Sequence, residues 1–497
     1  MPVKPGQPLV SLDLSTSMTV LNHPAQRSMI ATIADLITRL RACETPGDMY
    51  EFQRHLFTYL YEVEERRSEC SRVVKRLKRS ASVPAEVPVP ANGDPAQLAT
   101  WELEVYVCDL LARQLRTVGD GLAWTCFGYD RRPILAMSRN DSPGPMYGKK
   151  GLPYELGAIH SLWKSEGRFA LHHDLTNCLR IADLTEFTAG GNRQLREIKA
   201  TPHTERKQME RAQAVVDAIM HGGVLPGSDG DSRFIELQEP YVTNLKALND
   251  LLQLSKRNGN HGMKLPQGRA VVASSLPTVV ARWKDDPEAG ADFFETTKQQ
   301  AWKRAGIVEV LHHIKGYSGD SAARSPSMAP WTVYPFSPLD CAGLICDMLV
   351  FETTVSADAL VESLERAGVK GEILLPMADT TIAGGMPVVK AHWGGRTVTW
   401  HAQGLNQLLY ELAEPDALAR GIAEVLHMGS APDYPVLVYA DERSSWFGGR
   451  IRKGKRLKAR RLAALSAVVL GRTLGGSPLS LRPRVRVGTI LVLASLE

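Results

Sequence analysis

The sequence lacks the patterns that mark several large classes of protein. It has no run of eighteen or more apolar residues, which a membrane-spanning helix needs. It contains no HExxH zinc motif and no GxSxG nucleophile elbow, so these two hydrolase signatures are excluded. Residues 1–18 lack the charged and apolar regions of a signal peptide, and we therefore expect a cytoplasmic protein.

Cysteine is also scarce and dispersed. The seven cysteines include no CxxC pair and no zinc-ligand spacing, which favours reduced thiols over a disulfide framework. The hydrophobic fraction of 44% and the charged fraction of 23% are typical of a soluble globular protein. The formal net charge of +5 is only mildly basic, so nucleic-acid binding would need a local basic surface.

A chain of 497 residues is too long for one hydrophobic core. Composition and periodicity predict four regions. We expect a helical N-terminal region and linker over 1–96 and a core with its preceding helix over 97–222. A mostly helical connecting region follows over 223–330, and an α/β region with a basic segment over 331–497. Within the core, residues 122–137 have a strand-like pattern and are predicted to join its sheet.

The strongest motif lies between Phe169 and Ala200. Asp183 is followed fourteen residues later by the triplet Glu197-Ile198-Lys199. Because residues i and i+2 of a strand point to the same face, Glu197 and Lys199 are expected to project together, with Ile198 turned into the core. The apolar run 179–187 is predicted to pair with this second strand as a hairpin through the Gly-rich turn at 189–192.

Two carboxylates and one ammonium at a sheet edge have a defined chemical use. Mg²⁺ takes oxygen ligands, commonly one or two carboxylates plus water and substrate phosphate. Asp183 and Glu197 are therefore candidate metal ligands, for Mg²⁺ or Mn²⁺. Lys199 is a candidate to orient the attacking water or to neutralise charge on the phosphate. The alternative is a solvated charged face on a hairpin.

The pattern of Asp183, Glu197 and Lys199 resembles the PD-(D/E)xK nuclease superfamily. The resemblance covers roughly residues 150–222, and Ala182 stands where the short motif has proline. It implies a further acidic residue on the preceding helix, matched by Glu155. It also implies a glutamine on the following helix, for which Gln208 and Gln213 are candidates.

That resemblance implies a mixed-sheet, restriction-endonuclease-like core within an α/β protein that has a helical N-terminal region and a separate α/β C-terminal region. It also implies a metal-dependent endonuclease acting on DNA in preference to RNA. Defence against foreign DNA is a further expectation, with homo-oligomers or other defence proteins as partners and no membrane association. Fold-level analogy carries these expectations.

Residues beside the motif leave alternatives open. His173 and Asp174 are candidates for a metal ligand or a base, whereas His172 is interpreted as the end of a strand. Arg180 and Arg193 are interpreted as surface arginines, with phosphate contact as the alternative.

Two basic stretches are candidate nucleic-acid contacts. The stretch 64–79 has the composition of a charged helix end, for which a solvated face is the favoured interpretation. The segment 450–461 holds eight basic residues and no acidic one. A solvated tail or a contact with an acidic protein is equally compatible with it. The candidate nucleic-acid-binding residues of the second segment are Arg450, Arg452, Lys453, Lys455 and Arg456. Residues 449–455 also match GxxxxGK, but Arg456 replaces the Ser or Thr of a phosphate-binding loop, which excludes an ATPase interpretation.

Two other function classes compete with the nuclease. One is a nucleic-acid-binding or assembly protein with an inactive nuclease-like fold, which would bind without cutting. The other is a structural scaffold with solvated charges, which would do neither. The C-terminal half shows no second site and is interpreted as a recognition or regulatory region.

Overall fold

The computed structural model shows a mixed α/β protein. It describes residues 14–81, 95–138, 143–187, 193–198, 206–221, 224–225, 232–237, 242–307, 313–319, 328–374, 387–428, 436–439, 445–447 and 491–493. The basic segment 450–461 lies outside these residues. No helix in the described ranges is long and apolar enough to cross a membrane.

The N-terminal part is helical. Its elements are α1 (Leu14–Asn22), α2 (Pro24–Ala42), α3 (Pro46–Ala81), α4 (Pro95–Cys126) and α5 (Arg131–Met137). The long helices α3 and α4 pack against each other, with Leu56 and Leu60 of α3 and Leu115 of α4 fully buried.

The prediction of a strand over 122–137 is wrong, because these residues end α4 and form α5. Leu122, Ala123 and Trp124 are all fully buried. A helix that is buried all round has no amphipathic period, so its sequence cannot be told from a buried strand by pattern alone. The two helices are separated at Gly128 and Tyr129, which both have positive φ. Asp130 then caps α5 by accepting a hydrogen bond from the N–H of Arg132.

A helix, three strands and a second helix follow. They are α6 (Leu152–Glu166), β1 (Phe169–His172), β2 (Leu184–Phe187), β3 (Arg193–Arg196) and α7 (Arg206–His221). The strands form an antiparallel sheet in the order β1-β2-β3. The predicted hairpin is confirmed by the β2–β3 pairing, although its first strand begins at Leu184 rather than at residue 179. The mixed α/β class agrees with expectation.

The rest of the described chain alternates helices and strands. Its first part contains β4 (Val224–Leu225), β5 (Ser232–Glu236), α8 (Leu245–Asn258), β6 (Asn260–Leu265), β7 (Arg269–Ser275), α9 (Leu276–Trp283), α10 (Pro287–Ala305) and β8 (His313–Tyr317). Its second part contains α11 (Pro338–Ile345), β9 (Leu349–Ser356), α12 (Ala357–Arg366), β10 (Lys370–Ile373), β11 (Pro387–Trp393), β12 (Arg396–His401), α13 (Asn406–Leu409), α14 (Pro415–His427), β13 (Val436–Tyr439) and β14 (Leu491–Leu493).

These strands form three further sheets, with orders β6-β7-β9-β8, β10-β11-β12 and β14-β13-β5-β4. The pairing of β5 with β13 is parallel, whereas the other strand pairs of these sheets are antiparallel. Two of the sheets take strands from both sides of residue 330, where the sequence predicted a boundary. The described residues of the region 223–330, which was expected to be mostly helical, form the five strands β4 to β8 as well as three helices.

One hydrophobic core extends from the N-terminal helices to the C-terminal part. It includes Ile33 of α2, Leu171 of β1, Val271 of β7 and Leu418 of α14, each fully buried. Polar contacts also join distant parts of the chain. Arg41 at the end of α2 donates hydrogen bonds to the carbonyl oxygens of Thr332, Tyr334 and Phe336. The first sheet is therefore supported by helices on an extended common core.

Candidate functional site

The register of the first sheet brings three strand ends together. His172, the last residue of β1, lies opposite Leu184, the first residue of β2. Leu184 in turn lies opposite Arg196, the last residue of β3. Asp183 immediately precedes β2 and Glu197 immediately follows β3, so both lie at the same end of the sheet as His172. The topology therefore brings these residues to one end of the sheet, although the strand predicted to carry Glu197 ends one residue earlier, at Arg196.

Asp183 is fixed by backbone hydrogen bonds on both sides. Its carboxylate accepts a hydrogen bond of 2.7 Å from the N–H of Ile198, and its own N–H donates to the carbonyl of Arg196 at 3.0 Å. Its carbonyl accepts from the N–H of His173 at 2.9 Å. Partial burial raises the pKa of Asp183, and the charges of Glu197 and Glu155 add to this, while the Ile198 hydrogen bond opposes it. Two acidic side chains thus lie close enough to Asp183 to disfavour its negative charge.

Glu155 projects from the first turn of α6 and is almost completely buried, with 1% of its surface exposed. One carboxylate oxygen lies 2.9 Å from Lys149 Nζ and the other 2.9 Å from His172 Nε2. Burial by itself raises the pKa of Glu155, but its hydrogen bonds with His172 and Lys149 outweigh burial and leave that pKa below its ordinary value. Glu155 is therefore held as an anion inside the fold.

Lys149 links the carboxylates. Its ammonium lies 2.7 Å from Asp174, 2.9 Å from Glu155 and 3.6 Å from Asp183. Burial acts to lower the pKa of Lys149, but the hydrogen bonds with Asp174 and Glu155 raise it above its ordinary value. One cation is thus shared by three carboxylates. We name the set Lys149, Glu155, His172, Asp174, Asp183 and Glu197 the carboxylate cluster.

Buried side chains of α3 and α4 hold the loops that carry this cluster. Glu64 accepts hydrogen bonds from the N–H groups of Met146 and Tyr147 and pairs with Arg116 at 2.5 Å. Arg116 donates in turn to the carbonyl oxygens of Gly144 and Asp174. The segments bearing Lys149 and Asp174 are therefore tied to the same helix pair.

Two further helix side chains complete this support. Gln53 donates to the carbonyl of Ala170 and accepts from the N–H of His172, both at 2.9 Å. Asp120 accepts from the N–H groups of Asn177 and Cys178. The end of β1 and the loop beyond it are therefore positioned by α3 and α4 together.

The structure joins some of the predicted site residues and leaves others apart. Asp183, Glu197 and Glu155 belong to one cluster. Gln213 on α7 is exposed and donates to Asp217 on its own helix, so its side chain makes no hydrogen bond with the cluster. Lys199 and the side chain of Gln208 lie outside the described residues, as do the basic residues of segment 450–461.

The predicted catalytic set of Asp183, Glu197, Lys199 and Glu155 lacks three members of the cluster, which are Lys149, His172 and Asp174. His172 was interpreted as a strand end, which it is, yet its ring also contacts Glu155. Asp174 was a candidate for a metal ligand or a base, and Lys149 lies in a stretch whose glycines and prolines predict a loop. The stretch 143–150 offered one signal, since a lysine three positions before the first residue of a helix with a glutamate in its first turn is positioned to meet that glutamate. The contact with Asp174 depends on tertiary structure that no local pattern shows.

The other candidates near the motif have structural contacts. His173 is buried, and its two ring nitrogens contact the carbonyl of Ala182 and the hydroxyl of Thr185. Arg180 is hydrogen-bonded to the carbonyl oxygens of Thr176 and Asn177. Arg193 is largely buried against the ring of Phe127, 5.0 Å from its centroid, and this burial lowers the pKa of its guanidinium. Arg180 and Arg193 therefore serve local packing, and neither is the solvated arginine that the sequence suggested.

The donor atoms of the cluster fit a divalent cation. Glu155, His172 and Asp174 each place one potential ligand atom within 4.8 Å of the others. Three carboxylates, those of Glu155, Asp174 and Asp183, surround the ammonium of Lys149, and the nearby charges of Glu197 and Glu155 contribute to the raised pKa of Asp183. Oxygen-rich sets of this type suit Mg²⁺ and Mn²⁺, with one imidazole compatible with Mn²⁺.

Comparison with known proteins gives no independent assignment: no family model, no curated protein and no solved structure matches this chain.

Proposed function

We propose that this protein is a metal-dependent nuclease that hydrolyses phosphodiester bonds. The observation that carries the proposal is the meeting of Asp183 and Glu197 at one end of the β1-β2-β3 sheet, beside Glu155 of the preceding helix. The order of elements from α6 through β1, β2 and β3 to α7 follows the order that the resemblance implies, although these three strands form an antiparallel sheet and not the mixed sheet of that fold. The agreement in order supports the proposal, and the chemistry of the cluster gives it a mechanism.

In the proposed mechanism, Asp183 and Glu197 would hold the cation, with Glu155 as an additional oxygen donor. A bound Mg²⁺ or Mn²⁺ supplies polarisation of the scissile phosphate and a water molecule of lowered pKa. The Ile198 N–H fixes one oxygen of Asp183 and leaves the other directed toward Lys149. The charge of Lys149 favours the ionised forms of Glu155, Asp174 and Asp183, and it offers a positive charge near an incoming phosphate.

Lys199 follows Glu197 by two residues, and we assign it the role of orienting the attacking water. DNA is the preferred substrate in this proposal. The biological role that we propose for the activity is defence against foreign DNA. Both statements rest on the family resemblance alone.

Cleavage assays with matched variants test the proposal. Supercoiled DNA, single-stranded DNA and single-stranded RNA are incubated with the protein in Mg²⁺, Mn²⁺ or EDTA. We expect metal-dependent cutting that falls by at least about 100-fold in Asp183→Asn and Glu197→Gln, the loss typical of removing a group that stabilises transition-state charge. Lys199→Ala is expected to behave in the same way.

Glu166→Gln is the matched control, because Glu166 lies on the same helix as Glu155 but is exposed and pairs with Arg168. It should retain activity. If both Asp183→Asn and Glu197→Gln still cut nucleic acid, the catalytic site would not be the carboxylate cluster. Binding without cutting by the unsubstituted protein under every metal condition would favour the inactive, nucleic-acid-binding alternative.

A further inference from the structure

The second half of α3 carries a stripe of positive charge. Arg72, Lys75, Arg76 and Arg79 follow the spacing i, i+3, i+4, i+7, which places them on one helix face. All four are exposed, and they line one surface groove together with Glu69 and Val73. The stripe extends about 10 Å along the helix at a rise of 1.5 Å per residue. We name these four residues the basic stripe.

The other basic residues of this helix face differently. Lys78 and Arg67 turn toward α4, where they pair with Glu102 and Asp109. These pairs join the two long helices, whereas the residues of the basic stripe are exposed and line the surface groove. The basic residues of 64–79 therefore fall into two groups, one that forms ion pairs with α4 and one that forms the exposed basic stripe. The sequence alone does not show this division.

A row of aromatic rings continues from the same face of α3. Phe57 and Tyr61 stack with ring centroids 5.6 Å apart, and Tyr61 meets Tyr147 at 5.3 Å. All three rings are partly exposed. Tyr61 lies eleven residues, or about 16 Å, before Arg72 along the helix. Aromatic rings interleaved with cations form the usual surface for single-stranded nucleic acid, since bases stack on rings and phosphates pair with cations.

The aromatic row ends beside the carboxylate cluster. Glu64 binds the backbone N–H of Tyr147, and Lys149 follows two residues later with its ammonium against Glu155 and Asp183. A strand lying on the basic stripe and the rings would therefore be directed toward the proposed site of cleavage. Glu65 and Glu69 lie between the two halves of this surface, so its charge comprises four cations and two anions.

We infer that this face of α3 binds single-stranded nucleic acid, with phosphates on the basic stripe and bases on Phe57, Tyr61 and Tyr147. The inference deepens the proposed nuclease function, on which it rests for the destination of the bound strand. Binding is tested separately from cleavage by using the Asp183→Asn protein in EDTA. Loss of binding and loss of catalysis are then distinct results.

The first experiment measures fluorescence anisotropy of a labelled oligonucleotide over a range of salt concentrations. Replacing the whole basic stripe with glutamine should weaken binding by at least about tenfold near physiological salt. The slope of log K against log salt should fall by roughly 3, since each phosphate contact of a single strand contributes about 0.7. The control replaces Lys246, Arg257, Lys284 and Lys303 with glutamine, which removes the same charge from exposed positions on and beside α8 to α10.

The aromatic row has its own variant. Tyr61→Leu keeps apolar volume on the helix but removes the ring, and it should weaken single-strand binding about fivefold or more. Thermal unfolding of each variant establishes that the fold is retained. Single-stranded DNA, single-stranded RNA and duplex DNA are compared, and the duplex should bind least tightly because its bases cannot stack on the rings.

Glu65→Gln combined with Glu69→Gln should tighten binding, since it removes the two anions of this surface. Equal weakening by the basic-stripe variant and its control would overturn the inference. So would unchanged binding by the basic-stripe variant, or tighter binding of duplex than of single strand by the parent protein. Failure of the parent to bind any oligonucleotide, with an acidic protein captured in its place, would also overturn it.

Discussion

Among single residues, Ala182 sets the backbone conformation immediately before Asp183 of the carboxylate cluster. Its φ of 64° lies in the left-handed region, which costs a residue with a side chain about 1–2 kcal/mol. Its carbonyl accepts a hydrogen bond from the ring of His173, and the next residue is Asp183. Proline is confined to φ near −65°, so it cannot take this backbone conformation. The absence of proline before Asp183 therefore has a local structural reason.

Substitutions at Ala182 should follow that geometry. Ala182→Gly should change the free energy of unfolding by less than about 0.5 kcal/mol, because relief of the left-handed conformation offsets the greater freedom of the unfolded chain. Ala182→Pro should lower it by more than about 1 kcal/mol. Urea unfolding of the two variants measures both changes. A proline variant as stable as the parent would show that the backbone at 182 takes another conformation.

His173 gives the protein a defined response to acid. Burial lowers its pKa to about 3, well below the ordinary value of 6.5. Below pH 6.5 the unfolded chain therefore binds a proton that the folded chain does not accept until about pH 3. The stability associated with neutral His173 is complete above pH 6.5 and is lost as the pH falls from 6.5 toward 3.

We expect the melting temperature to fall across that interval and to fall less steeply in His173→Gln. The measurement is thermal unfolding at a series of pH values. His55→Gln is the control, because His55 is exposed on α3 and should leave the slope as it is in the parent. An identical slope in parent and His173→Gln would place the acid sensitivity in other groups.

Between elements, the buried pair of Glu64 and Arg116 connects two long helices to the loops that form the cluster. Their exposed fractions are 3% and 5%. Glu64→Gln leaves the Arg116 charge without its ionic partner inside the fold, which should cost about 3–5 kcal/mol. It also weakens the hold on the N–H groups of Met146 and Tyr147.

Chemical unfolding should report this loss of stability, and hydrogen exchange should be faster at the amides of Met146 and Tyr147. Glu65→Gln, one residue along and exposed, is the matched control. Rapid exchange at these amides in the parent protein itself would contradict the role given to Glu64.

The sequence predicts an element well where local chemistry decides it. Glycines at 190 and 191 between two short apolar runs favoured a hairpin, and β2 and β3 form one. The proximity of Asp183 and Glu197 could be predicted, because it follows from the register of that hairpin. The contact of Lys149 with Asp174 could not be predicted, because it depends on Glu64 and Arg116, which are more than thirty positions before Lys149 and hold both segments. The run 122–137 was predicted wrongly because burial on every side removes the helical period.

In the whole molecule, contacts between strands and residues that are far apart in the chain determine how the sheets are assembled. Strand β7 pairs with β9 across residue 330, and Arg269 at its start is buried and donates to the carbonyl oxygens of Leu412 and Ala413. Local periodicity identifies such strands but carries no information about which distant strand they join. The sequence therefore predicted an α/β region over 331–497 and left its sheets unassigned.

The parallel pairing of β5 with β13 has a consequence for synthesis of the chain. From position 236 to position 436 is 200 residues. A ribosome adding roughly 5–20 residues per second needs on the order of 10–40 seconds to make that interval. Throughout this time one edge of β5 awaits its native neighbour, and an open strand edge is a template for pairing with other chains. Translation rate and chaperone supply should therefore govern how much of the newly made protein reaches the native fold.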